Sequence, residues 1–175
     1  MLNILKAARK YLDKKNKIFP LSELQDHFKN WIATKYGQYI IQKEGSALKK
    51  VLPDVNSHRM IQLGLAPQLD FSLKSHHLYS FSFGPLNTNV SNSGVSDFNA
   101  LPLPSETIDT VFLHHVLEFS QCPHEVLKEA SRVLKPSGYI VMVIFNPVSM
   151  LGLLKFPARL LSSNSVWRHH GLRRG

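Results

Sequence analysis

The sequence predicts an α/β fold: a mainly parallel sheet with an N-terminal helical extension. Three observations carry this. Residues 108–145 run strand, helix, strand, which is a βαβ unit. The run "YIVMVIF", 139–145, is continuously apolar, as expected of a strand buried on both faces of a parallel sheet. The first 50 residues show helical rather than alternating periodicity.

Leu2, Leu5, Ala8 and Leu12 lie at helical spacing with lysines and arginines between them, so residues 2–16 read as a basic amphipathic helix. After Pro20, "LSELQDHF" predicts a second helix, N-capped by Ser22 and running to about Thr34. Gly37 is expected to break it. "QYIIQKEGSALKKVL" restores the pattern, and Pro53 is expected to end it. These boundaries divide the chain into a helical segment, 1–53, and an α/β domain, 54–175.

"HRMIQLGL" is the first strand, ending at Gly64, and "HHLYSFSFG" the second. Residues 84–96 read as a loop or weak strand. "TIDTVFLHHVL" supplies the next apolar run. "PHEVLKEASRVL" is an amphipathic helix with Val126, Leu127, Ala130, Val133 and Leu134 on one side. "KPSG" closes it, with Gly138 expected in a left-handed conformation. The segment after the last strand predicts a loop and a further helix.

The chain has 175 residues, 43% hydrophobic and 19% charged, which suits one globular domain. No apolar stretch reaches 18 residues, and the N-terminus lacks a secretory h-region. A single cysteine, Cys122, excludes internal disulfides and predicts a cytoplasmic setting. Charge is unevenly spread. Residues 1–50 carry a net +7, 51–129 a net −5 and 130–175 a net +7. The basic ends predict weak contact with an anionic surface. No P-loop, G-x-S-x-G or H-E-x-x-H occurs, and Cys122-Pro-His124 lacks a second ligand pair, so no metal is expected from spacing.

Residues 101–143, "LPLPSETIDTVFLHHVLEFSQCPHEVLKEASRVLKPSGYIVMV", carry an ordered set of short motifs. They are Asp97 with Leu101-Pro102, Ile108-Asp109 with Val111, Val116-Leu117-Glu118-Phe119, and Leu127 through Gly138. In that order they resemble the class I S-adenosylmethionine-dependent methyltransferases, in particular the type 11 methyltransferase domain. "FNPVSMLGL", and Trp31 to Tyr39, are similar to a bacterial subgroup with F-N-P-x-S after the fifth strand.

The resemblance implies a Rossmann-like fold, S-adenosylmethionine as cofactor and methyl transfer to an unidentified small or macromolecular acceptor. It implies that Asp97 accepts a hydrogen bond from the adenine amino group and that Phe98 lies against the base. Gln62, Gly64 and Ala66 fall where the family has its acidic residue and glycine-rich loop. His114 and His115 follow the fourth family strand, where a histidine could act as general base. The loop departs from the family pattern, because Gln62 offers no carboxylate and the third glycine is missing. The chain also ends before the family's last hairpin, so it reads as truncated at the C-terminus. The alternative is a catalytically inactive methyltransferase-like interaction module. A five-strand sheet leaves an open edge, which a second copy of the chain is expected to cover.

Overall fold

The computed structural model of the protein describes residues 20–51, 58–66, 69, 79–85 and 94–145. The predicted helix at 2–16, the stop at Pro53 and the helix after residue 145 lie outside them.

Helix α1 spans Leu21–Ile32 and α2 spans Lys35–Val51. Pro20, not Ser22, is the N-cap of α1, because its carbonyl already accepts the Glu23 and Leu24 amides at 3.0 and 3.2 Å. Ser22 sits inside the first turn and makes no capping bond. The break between the helices falls at Ala33–Thr34, not at Gly37. The Thr34 hydroxyl donates to the Trp31 carbonyl at 2.7 Å and accepts the Gly37 amide at 3.1 Å, capping α2. Gly37 lies in the first turn of α2, where a Cβ would collide with the Trp31 carbonyl oxygen.

The sheet is formed by β1 (Arg59–Gly64), β2 (Tyr79–Gly84), β3 (Gly94–Val95), β4 (Ile108–His114) and β5 (Leu134–Val143). Its order is β3-β2-β1-β4-β5 and every pairing is parallel. The weak strand expected in 84–96 is thus two residues long. Helix α3 (Pro123–Val133) crosses from β4 to β5.

Alternation along the strands sorts the core onto two faces. Ile61, Leu63, Val111 and Leu113 pack with Val126, Ala130 and Val133 of α3. Met60 and Phe112 point the other way and pack with Leu48 of α2. At the carboxyl ends of the strands, Leu24 and Phe28 of α1 close over Leu65, Ala66 and Phe119.

Two expectations about the last strand are corrected. The chain passes from Val133 straight into β5, and "KPSG" is a bulge within it: Ile108 pairs with Leu134, but Thr110 pairs with Tyr139. Gly138 has no positive φ. Its constraint is space, since a Cβ would stand 2.7 Å from Leu134 side-chain atoms and 2.8 Å from the Asp109 carbonyl oxygen. Nor is β5 buried on both faces. Among the described residues it is the sheet edge, and Tyr139, Met142 and Ile144 are exposed.

Candidate functional site

In an open α/β sheet, ligands bind beyond the carboxyl ends of the strands where the strand order reverses. Here the chain runs outward from β1 to β2 and β3, then returns to β4 on the other side of β1. The switch point therefore lies between β1 and β4, where Gly64 pairs with His114.

Four side chains from two stretches of the chain, Glu44 and residues 114–118, meet at this point. His114 ends β4, and His115 follows with φ 53°, a left-handed conformation unusual for a residue with a side chain. The His115 amide donates to the Val143 carbonyl at 3.0 Å, which ties the turn to β5. Both imidazoles are fully buried and converge on Glu44 of α2. His114 Nε2 lies 3.2 Å from Glu44 Oε2, and His115 Nε2 lies 3.0 Å from Glu44 Oε1. On its other side, His115 Nδ1 is 2.6 Å from Glu118 Oε1. That carboxylate oxygen also accepts the Phe145 amide at 3.1 Å.

Electrostatics follow from this arrangement. Burial pushes the His115 imidazole down, but its hydrogen bonds to Glu118 and Glu44 outweigh burial and hold it up at about 9. Burial pushes His114 down to about 4, against its hydrogen bond to Glu44. Burial raises the Glu44 carboxyl, but hydrogen bonds from both imidazoles prevail and bring it down to about 2. The cluster is thus a neutral His114 and an imidazolium His115 held by carboxylates. An aromatic layer covers it. Phe145 stacks on His115 with centroids 4.1 Å apart, and Phe28 lies 5.6 Å from the same ring. Trp31 meets Phe145 edge-on at 5.7 Å.

Gln62, Gly64 and Ala66 stand beside this cluster, at the end of β1. Gln62 is buried and its Nε2 donates to the Leu69 carbonyl at 3.3 Å. Ala66 is fully covered by α1. Asp97 and Phe98 are elsewhere, in the loop after β3, where they line a pocket of about 300 Å³ together with Pro20, Ser22, Val95 and Gln121. The Asp97 Oδ1 accepts the Asn99 amide at 3.1 Å, forming the turn, and the side chain is exposed. Buried Ser96 fixes the same turn by donating to the Asp97 and Ala100 carbonyls, at 3.0 and 3.2 Å. Arg132 anchors the next stretch: its Nη2 donates to the Leu101 and Leu103 carbonyls, at 3.2 and 2.9 Å, and to Glu129 Oε1 at 2.6 Å.

The structure therefore separates the expected site residues into two groups. Asp97 and Phe98 share a pocket, while His114, His115, Gln62, Gly64 and Ala66 share the covered switch point. Glu44 was missed, because it lies 70 residues from His114. The available signal was that it is the sole acidic residue of α2.

A parallel sheet in this order, with its switch point at β1 and β4, defines the class: the chain carries a domain with the class I S-adenosylmethionine-dependent methyltransferase fold. Residues 79–142 match the family described as "Methyltransferase domain". The chain is 39% identical over 72 residues to YafS of Escherichia coli strain K12, a stretch covering 38% of this chain and 30% of that protein. It is 40% identical over 52 residues to MJ1123 of Methanocaldococcus jannaschii, covering 30% and 25%. Both carry the description "uncharacterized protein". The matched stretches span under a third of these curated relatives. Among solved structures, a SAM-dependent methyltransferase of Thermotoga maritima superposes with TM-score 0.65 at 20% identity, covering 83% of this chain and 69% of that one.

Proposed function

We propose that the chain binds S-adenosylmethionine and transfers its methyl group to an acceptor. The observation that carries this reading is the pocket beyond β3, lined by Asp97 and Phe98. Its size falls at the small end of the range for ligand pockets. The Asp97 turn uses Oδ1, which leaves the second carboxylate oxygen for the adenine amino group, while Phe98 is buried in the core beneath the pocket. The bound cofactor would supply an electrophilic methyl group. Catalysis then rests on holding the acceptor in line with that methyl. Of the two histidines, only the neutral His114 could take a proton released by the acceptor, because His115 already carries one on each ring nitrogen. That route requires α1 and α2 to lift from the strand ends, since both imidazoles are buried.

One observation favours the second reading, an inactive interaction module. Gly64 leads into Leu65 and Ala66, which are fully buried under Leu24 and Phe28, so the region where the family loop meets the methionine half is packed with side chains. Calorimetric titration with S-adenosylmethionine and S-adenosylhomocysteine separates the two. Saturable binding lost in Asp97→Ala supports the enzyme. Absence of binding by a folded chain supports the module.

The chain's single cysteine, exposed Cys122, supports a cytoplasmic setting. No described helix is long and apolar enough to cross a membrane. The exposed apolar residues of β5 support pairing with a second copy along that edge. Residues 1–53 are read as an N-terminal helical segment joined to the α/β domain of 54–175, and the basic ends as the surface for weak anionic contacts.

A further inference from the structure

We propose that Glu44, His114 and His115 form a binding site for a divalent first-row transition ion of the zinc class.

The geometry is close to what such an ion needs. One ligand atom from each residue lies within 4.8 Å of the others. The two imidazole Nε2 atoms stand 3.2 and 3.0 Å from the two Glu44 oxygens. Ligands about 2.0–2.1 Å from a tetrahedral ion are about 3.3–3.4 Å apart. Each Glu44 contact would widen by a few tenths of an ångström, and the widest separation in the set, up to 4.8 Å, would close toward the same spacing as the side chains draw in on the ion. The ion takes the place of the Nε2 protons that now bridge to Glu44.

The donor set selects the chemistry. Two imidazoles and one carboxylate, with no thiolate, suit zinc, iron(II), cobalt or nickel, whereas magnesium and calcium favour oxygen ligands throughout. Glu118 supplies the outer carboxylate. Its hydrogen bond to His115 Nδ1 fixes the tautomer that presents Nε2 to the ion. The backbone of His115 holds a left-handed φ of 53°, and in that conformation its ring faces Glu44 at 3.0 Å. Of the three ligands only Glu44 has exposed surface, so entry is from the α2 side.

Glu44 belongs to α2 and the histidines to the end of β4, so the ion would fasten the N-terminal helices to the sheet at its switch point. Imidazoles that ligate an ion are not free to accept a proton. This site therefore leaves catalysis to positioning, and it stands whether or not the chain transfers methyl groups.

The test uses the full chain, stripped with a chelator and titrated with zinc chloride by calorimetry. One equivalent should bind and raise the thermal midpoint. Glu44→Gln should abolish that equivalent, and Glu118→Gln should weaken it about 10–100-fold. Absence of zinc binding by the folded wild-type chain overturns the proposal. So does one-equivalent binding that survives Glu44→Gln, because the ion would then sit on other histidines, such as His76–His77 or His169–His170. If Glu44→Gln does not fold, nitrogen NMR of wild-type imidazoles decides. Zinc must shift the Nε2 resonances of both His114 and His115, and unshifted signals contradict the site.

Discussion

Glu44 of α2 bonds His114 at the end of β4 across 3.2 Å of space and 70 residues of sequence. Its other oxygen holds His115 at 3.0 Å. One carboxylate thus ties the N-terminal helices to the sheet end. In chelator-treated protein, Glu44→Gln keeps the shape but removes the charge from both bonds. Charge-assisted bonds exceed neutral ones by about 1 kcal/mol each, so the loss should be about 1–2 kcal/mol by urea unfolding.

Glu118 is more deeply placed, at 1% exposure, and it satisfies both His115 and the Phe145 amide. Glu118→Ala leaves a buried imidazolium with one carboxylate fewer. The expected cost is about 3–5 kcal/mol, read as a lower denaturant midpoint at unchanged slope.

Gly138 is required by space, not by its backbone angle. Gly138→Ala pushes a methyl group against Leu134 and against the Asp109 carbonyl, which is backbone and cannot swing away. Destabilisation of about 1–3 kcal/mol is expected, and hydrogen exchange should quicken along the β4–β5 ladder first.

Asp109 links β1, β4 and the bulge of β5. Burial raises its carboxyl, but the Lys135 ammonium and the Arg59 and His58 amides outweigh this and hold it below the usual value of 3.8. A carboxyl lowered on folding stabilises above its unfolded pKa, and that stability is lost as pH falls through the folded value. Acid titration of stability should therefore steepen below about pH 4 in the wild type, and Asp109→Asn should flatten it there.

Arg132 reaches the Leu101 and Leu103 carbonyls and Ser105 Oγ with one guanidinium. Lysine cannot reproduce that fork. Arg132→Lys should raise hydrogen exchange at residues 101–107 and weaken binding in the neighbouring Asp97 pocket.

The sheet was legible because its strands carry their own periodicity: "HRMIQLGL", "HHLYSFSFG" and "TIDTVFLHHVL" each contain a strand, Arg59–Gly64, Tyr79–Gly84 and Ile108–His114, though the last stops three residues short of the predicted run. The helix from Pro123 was legible from Val126, Ala130 and Val133, which face the core. Legibility failed where the third dimension decides. Ser22 looked like a cap, but the backbone of Pro20 had already begun the helix. "YIVMVIF" is apolar enough for a central strand, yet among the described strands it stands at the edge. Asp97 and Phe98 could be named from their motif, since a loop after a strand carries its own residues to the pocket. The Glu44–His114–His115 cluster could not, because it depends on how α2 packs across the sheet.

The most direct test of the account is calorimetric titration of the full chain with S-adenosylmethionine, with Asp97→Ala and Phe98→Ala alongside. The account predicts saturable one-to-one binding, abolished by Asp97→Ala and weakened at least tenfold by Phe98→Ala. No binding by a chain shown to be folded, or binding indifferent to both substitutions, would contradict it.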